Sequence, residues 1–379
     1  MKNTTRRILA VTVCLVMVFT IFTAVPASAN GIEIVDLSTW TAESYPAVAG
    51  FYPGVWTVSE PNHESVEQSI NGQPTMFYSD SNAFNTQVEG SIIVTQNAGD
   101  DDYIGFALGF QPGDSSNPTA DYLLIDWKKG TQWFDFGSPS CGPGSTAPIG
   151  LAVSRVEGVP TADEFWGHYT EQTQAPCPLD DQGLTELARG MNLGSTGWIH
   201  DQGYIFTFEF FHNSLKVYVD GVLEIDIEGD FNDGRLAFYN FSQRWVTYSG
   251  FVVEPLLQID IKPGSDPNSI NLGDKGVLPV AILGSEGFDV YTIDLAKPIT
   301  LGGTEVTTRG SEKAPKLAVS FEDVNDDGHM DLMTFFSVQT LVINGALDET
   351  TTELMLEAET TGGVLIQGTD SVRIVPPEQ

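Results

Sequence analysis

Over residues 30–255 the chain runs in short stretches of alternating apolar and polar positions, punctuated by Gly, Pro, Asn and Asp. A period of two predicts half-buried β-strands rather than helices. Residues 204–211 put Phe206, Phe208 and Phe210 on one face, and His212-Asn213-Ser214 turns the chain. Residues 215–219 alternate again, Asp220-Gly221 is a strong two-residue hairpin signal, and residues 222–227 form the return strand. Residues 105–111, 122–127 and 235–241 read as further strands, and only residues 184–191 look helical. The pattern predicts a sandwich of antiparallel sheets.

The texture changes near Glu254-Pro255. Ile259-Asp-Ile-Lys-Pro-Gly264 opens a block with its own strands at residues 276–283, 316–321, 332–336 and 372–375. Its self-contained patterning predicts a second, smaller β-domain over residues 256–379.

Composition supports a folded β-protein: 41% of the 379 residues are hydrophobic, enough for a core. The first 29 residues read as a secretory signal, with Lys2, Arg6 and Arg7 ahead of an apolar run and Ala27-Ser28-Ala29 as cleavage site. The run is long, so an uncleaved anchor also fits, and Arg6-Arg7 admits twin-arginine export. No later stretch has the roughly 20 apolar residues a spanning helix needs. Removal of the signal takes three basic residues and no acid, so the mature chain is more acidic than the formal −34 of the whole. Such a surface repels nucleic acid and anionic lipid. Cys14 leaves with the signal, and Cys141 and Cys177 remain as an even pair in an exported chain, which predicts one disulfide.

Four segments carry a family resemblance. Asp100-Asp-Asp-Tyr-Ile-Gly-Phe-Ala-Leu-Gly-Phe-Gln111, Tyr122-Leu-Leu-Ile-Asp-Trp-Lys-Lys-Gly-Thr-Gln132, Gly197-Trp198 and Gly234-Arg-Leu-Ala-Phe-Tyr-Asn-Phe-Ser-Gln243 resemble, in order, signatures of thrombospondin C-terminal domains. The similarity covers roughly residues 35–254. It implies a concanavalin-like jelly-roll sandwich, calcium at a lectin-type site, and adhesion to cells or matrix. The calcium-binding repeats that precede this domain in thrombospondins are missing, and residues 138–182, which hold the cysteine pair, diverge. The C-terminal block resembles a small module of exported bacterial and archaeal proteins, on Ile259-Asp-Ile-Lys-Pro-Gly-Ser-Asp-Pro-Asn-Ser-Ile270, Val277-Leu-Pro-Val-Ala-Ile-Leu-Gly284 and Asp370-Ser-Val-Arg-Ile-Val375.

The best chemical motif is Asp323-Val-Asn325-Asp-Asp327-Gly328-His329-Met-Asp331. Ca²⁺ takes about six to eight oxygens. Asp323, Asn325, Asp327, the carbonyl of His329 and Asp331 supply ligands at alternate positions, and Gly328 permits the sharp turn. Thr334 stands where an EF-hand needs Glu; the loop looks like the hairpin calcium loops of integrin-type propellers. An acidic turn without an ion is the plain alternative, although its carboxylates repel without a cation. Asp100, Asp101 and Asp102 form a second calcium candidate, which Asp126 in the next matched strand is placed to join; a solvated acidic turn is again the alternative. Most tryptophans suit the core, but Trp133 and Trp166, in loop-like segments, suit stacking on sugar faces.

Glu224-Ile-Asp226-Ile-Glu228 spells the E-x-D-x-E pattern of laminarinase-type glycoside hydrolases, which share the jelly-roll fold. A retaining carboxylate pair lies about 5–5.5 Å apart. Residues i and i+4 of a regular strand are roughly 13 Å apart, and nothing in the run signals the bulge that would close the gap. The chain has no H-E-x-x-H, nucleophile elbow or P-loop. Asn240-Phe-Ser242 is a glycosylation sequon inside a matched strand. These readings converge on a secreted or cell-surface, calcium-using lectin-like protein, not an enzyme, whose partner is an extracellular glycan or a surface or matrix protein, with no stable membrane insertion once the signal is gone. A glycoside hydrolase using Glu224 and Glu228 and a ligand-free structural envelope protein are the rivals.

Overall fold

Alternating burial along the first block resolves into strands β1 Thr41–Ser44, β2 Trp56–Val58, β3 Ser65–Gln68, β4 Thr75–Asn82, β5 Thr86–Val94, β6 Tyr103–Phe110, β7 Asp121–Lys128, β8 Gln132–Phe134, β9 Ser145–Ala147 and β10 Gly150–Glu157. A short helix, α1 (Ala162–Gly167), follows, then β11 Gly183–Arg189, β12 Gly203–Phe210, β13 Ser214–Val219, β14 Val222–Glu228, β15 Arg235–Phe241 and β16 Val246–Pro255. The computed structural model describes residues 34–95, 100–137, 144–169, 183–285, 288–311 and 314–375. The predicted signal and both Cys141 and Cys177 lie outside the described residues.

Two seven-stranded antiparallel sheets face one another, in the orders β1-β4-β15-β6-β7-β10-β11 and β14-β13-β12-β5-β16-β3-β2. The fold is therefore all-β, a jelly-roll-type sandwich. Phe206, Phe208 and Phe210 share the inward face as the alternation requires, and meet Phe106 of the opposite sheet at ring distances of 5.1 and 4.9 Å from Phe206 and Phe208. Asp220 and Gly221 both take positive φ, 51° and 76°, as a two-residue hairpin demands.

One sheet is covered on both faces. Every position of β6 is buried, and all but the first of β7. Inward residues join the sandwich core, whereas Tyr103, Tyr122, Leu124, Tyr239 and Phe241 pack outward beneath α1, with Phe136, Phe165 and Trp166 over them. Residues 184–191 are not helical. Despite their helix-forming composition they run mainly as β11, because β10 offers a ladder that pairs Leu184 with Val156 and Thr185 with Arg155; tertiary pairing overrides a propensity worth only tenths of a kcal/mol per residue.

The C-terminal block has its own core around Ile261, Val280, Ile282, Leu332, Phe336, Leu341 and Leu356. Its strands are β17 Ile259–Ile261, β18 Ser269–Asn271, β19 Val277–Ile282, β20 Thr300–Leu301, β21 Thr304–Glu305, β22 Thr308–Ser311, β23 Ala314–Leu317, β24 Val319–Glu322 and β25 Asp331–Ser337. The helix α2 Val338–Ile343 follows, then β26 Glu353–Glu359, β27 Leu365–Ser371 and β28 Arg373–Val375. Two four-stranded sheets, β17-β19-β25-β24 and β21-β20-β26-β27, enclose the core. The single strand expected at 316–321 is two, broken at Ala318, whose N–H turns to the Thr307 carbonyl. Residues 33–379 nonetheless form one compact unit. The junction is drawn tight where Leu257 donates to the Gln367 carbonyl; a Cβ on Gly368 would stand 2.1 Å from the Leu257 oxygen, so only glycine fits there. No described helix is long and apolar enough to cross a membrane.

Candidate functional site

Antiparallel pairing of β6 with β7 sets Tyr103 opposite Lys128. The acidic run just ahead of Tyr103 therefore arrives beside Lys128 and the turn that leads into β8. Asp100, Asp101 and Asp102 each bring one carboxylate oxygen within 4.8 Å of the others, and no other group of three His, Cys, Asp or Glu does so among the described residues. The Lys128 side chain is 0% exposed. Its Nζ donates to the Asp101 carbonyl (2.7 Å), Asp102 Oδ1 (2.8 Å) and Gln132 Oε1 (3.0 Å), and lies 4.8 Å from the Trp166 ring centre. Burial pushes the Asp102 carboxyl up to about 7 against the pull of Lys128, and the neighbouring Asp100 adds to the rise. Trp198 Nε1 donates to the Asp102 carbonyl, and Asn71 Nδ2 to Asp100. The ammonium thus occupies the inner side where a cation would be most enclosed, and three acids against one base leave the corner net negative.

Asp126 does not join this group. It sits on the same strand, but its Oδ2 is engaged at 2.9 Å by His168 Nε2. Thr161 and Glu164 form a reciprocal capping box that starts α1, and His168 ends it at φ 52°. That geometry delivers the imidazole between Asp126 on the sheet and Glu186 on β11, 3.3 Å from Nδ1, with Arg189 paired to the same Glu186. Burial alone would lower the His168 pKa, but Asp126 and Glu186 outweigh it and hold the pKa at about 9. This network was missed in the sequence; its local signal was the T-x-x-E box at Thr161.

The two tryptophans singled out for sugar stacking part company. Trp133 is 60% exposed on β8, one residue from Gln132 in the acidic corner. Trp166 is 1% exposed: it belongs to α1, not to a loop, donates its Nε1 to the Gln132 carbonyl, and packs on Phe136 and Phe241. A ligand cannot reach it in this conformation.

The E-x-D-x-E run occupies the edge strand β14, but not as the regular strand expected. The β13–β14 register pairs Val217 with Ile225 and Tyr218 with Leu223, leaving Glu224 as an extra residue in a bulge. The bulge turns the Glu224 carboxylate, 2% exposed as a residue, into the turn after β11. There it accepts from the N–H groups of Asn192 (2.8 Å) and Leu193 (3.0 Å) and from Asn192 Nδ2 (3.2 Å). Glu228 remains exposed. Asn240 is buried in β15 and accepts from Gln68 Nε2, which withdraws it from glycosylation in the folded chain.

The acidic loop at 323–331 joins β24 to β25 as a hairpin, as its flanks predicted. Asp326 and Gly328 take positive φ, 60° and 88°. Asp323 accepts from the Gly328 N–H, Asp327 from the His329 N–H, and Asn325 Nδ2 donates to Asp327 Oδ2. Asp331 is buried beneath the loop, its two oxygens bridging the N–H groups of Gly284 and Val324 at 2.8 Å each. Burial lifts its carboxyl above the ordinary range; the two backbone bonds oppose this, and the charges of Asp327 and Asp323 add to it. No described ion pair involves a carboxylate of this loop. Its donor types, carboxylates, one amide oxygen and backbone carbonyls, are the hard oxygens that calcium takes, but Asp323, Asp327 and Asp331 do not bring their oxygens within 4.8 Å of one another as the Asp100–Asp102 corner does.

The sequence matches no protein-family model and no curated protein. Among solved structures, the chain is similar to the carbohydrate-binding module CBM66 from Bacillus subtilis (13% identity over 55% of this chain and 97% of that one, TM-score 0.34). It is also similar to a glycoside hydrolase family 16 endo-glucanase from Bacteroides ovatus (11%, 58% and 98%, TM-score 0.31). A third is the exoplasmic/lumenal domain of VIP36 in its Ca²⁺/Man3GlcNAc-bound form (11%, 57% and 82%, TM-score 0.31).

Proposed function

We propose that this is an exported glycan-binding protein that uses calcium to hold its C-terminal hairpin in shape and catalyses no reaction. The observation that carries the reading is Trp133. A large flat indole left 60% exposed on β8, next in sequence to Gln132 of the acidic corner, offers an apolar face open to solvent, as sugar-stacking aromatics do. Export rests on the N-terminal signal pattern. The absence of catalysis is supported by Glu224, whose carboxylate is committed to three donors of its own chain.

The thrombospondin-like reading belongs to the same proposal. Three of the four resembling segments are the adjacent strands β15, β6 and β7, and the fourth, Gly197-Trp198, is tied to them through Asp102. The resemblance thus falls on one connected piece of sheet, which supports a shared architecture with adhesion to surface glycan or matrix. Calcium is assigned first to the loop held by Asp323, Asn325, Asp327, the His329 carbonyl and Asp331. The ion would supply positive charge among carboxylates that have no basic partner among the described residues, whereas Lys128 already does so inside the Asp100–Asp102 corner.

The test is a glycan array on mature protein, with and without chelator, beside Trp133→Ala. Polysaccharide retention should fall roughly tenfold or more in the variant, a loss of about 1.4 kcal/mol or more. Equal retention by both proteins would remove the observation on which the reading stands.

A further inference from the structure

Between the rim of the sandwich and the C-terminal block lies a cleft of about 400 Å³, within the ~300–1,000 Å³ usual for small-ligand sites. It is remote from Trp133. β6 runs from Tyr103, beside the acidic corner, to Phe110; a Cβ on Gly109, near its far end, would stand 2.8 Å from the carbonyl of Asn232, which lines the cleft. Seven steps of strand separate those ends by roughly 23 Å.

The lining has a definite chemistry. Phe84 and His212 meet edge to face with ring centres 6.2 Å apart and give the sandwich wall an apolar surface. Asn213, Asn232 and Asp233 stand beside them, and Asn325 and Asp327 of the acidic hairpin form the opposite wall. A primary amide presents donor and acceptor together, as a hydroxyl does, so this wall matches a ligand dense in hydroxyls. Neither Lys nor Arg lines the cleft and two carboxylates do, which disfavours an anion.

We propose that this cleft is a second saccharide site, taking a neutral, hydroxyl-rich sugar unit whose C–H groups pack into the angle between Phe84 and His212. The proposal rests on the glycan-binding reading and adds a site that the sequence did not mark. Two sites at opposite ends of the sandwich let one molecule grip a polysaccharide twice, so retention on a long chain exceeds the affinity for a short one. The cleft is also joined to the acidic hairpin: Asp331 bonds both Val324 in the loop and Gly284 in the wall, and the next residue, Ser285, accepts from Asn85 of the sandwich at 2.8 Å.

Titration calorimetry of mature protein with neutral gluco-, manno- and xylo-tetrasaccharides tests this, with sulfated oligosaccharides as the anionic arm. The Trp133→Ala protein should still bind a neutral tetrasaccharide. Adding His212→Ala or Asn213→Ala, both at exposed side chains outside the acidic hairpin, should weaken that residual binding roughly tenfold with a nearly unchanged melting temperature. Complete loss in Trp133→Ala alone, or residual binding indifferent to both cleft substitutions, overturns the cleft and leaves the glycan reading standing. Residual binding confined to sulfated sugars also overturns it. A wild-type protein that binds no saccharide in either arm overturns both.

Discussion

Asp126 and Lys128 stand two residues apart on β7, buried on the same face, and each has found its counter-charge on a different element. Lys128 turns to the run ahead of β6, Asp126 to His168 at the end of α1. Removing one partner of such a buried pair leaves the other charge uncompensated, so His168→Leu should cost about 3–5 kcal/mol in urea unfolding. The pH dependence has a definite sign. The pKa of His168 rises on folding from its ordinary 6.5 to about 9, so its contribution is fully present below pH 6.5 and is lost as pH climbs through 9. The stability gap between wild type and His168→Leu should therefore narrow on the alkaline side; a gap that widens there would refute the assignment. Glu224→Gln should cost about 1–3 kcal/mol, because an amide group replaces an acceptor facing two N–H groups. Glu228→Gln at an exposed position should stay within about 0.5 kcal/mol. Wild type should release no reducing sugar from β-glucans.

At the scale of elements, the hairpin strands and their inward phenylalanines were legible because period-two alternation and a D-G turn are local signals. The fate of residues 184–191 was not, because it depends on a ladder offered by β10. Trp166 was misplaced for a related reason. Helix α1 is only six residues long, too short for periodicity to declare it, and its burial depends on the outward face of a sheet whose strands come from far along the chain. The bulge at Glu224 carries no Gly or insertion that sequence reading could find. The acidic hairpin was legible in its flanking strands. If calcium binds only the folded loop, full-length mature protein should gain about 2.7 kcal/mol at a hundredfold excess over Kd. Asp327→Ala should remove most of that gain, and Asp326→Ala, between the ligand positions, little of it. Mg²⁺ should substitute poorly, since it holds its water in a tighter shell. A melting temperature indifferent to calcium and chelator would reduce the loop to an acidic turn.

At the scale of the molecule, the C-terminal block has a hydrophobic cluster of its own beside the two of the sandwich, but the seam that joins it to the sandwich was invisible in the sequence. It joins residues as distant as Asn85 and Ser285, and it depends on Gly368 admitting the Leu257 carbonyl. Gly368→Ala should loosen that seam, and calorimetry should then record a broader or divided transition where wild type gives one. The bulged edge strand has a consequence for behaviour at high concentration. β14 has a ladder partner on one side only, and an unpaired strand edge is a template on which a second copy can add. The extra residue at Glu224 breaks the repeat such a copy would need, and the exposed carboxylates of Asp226 and Glu228 set like charge against like. Replacing both by their amides should leave melting nearly unchanged and raise light scattering in concentrated solution. On that outcome two of the three acids that spell a hydrolase motif, Asp226 and Glu228, keep neighbouring copies of the chain apart.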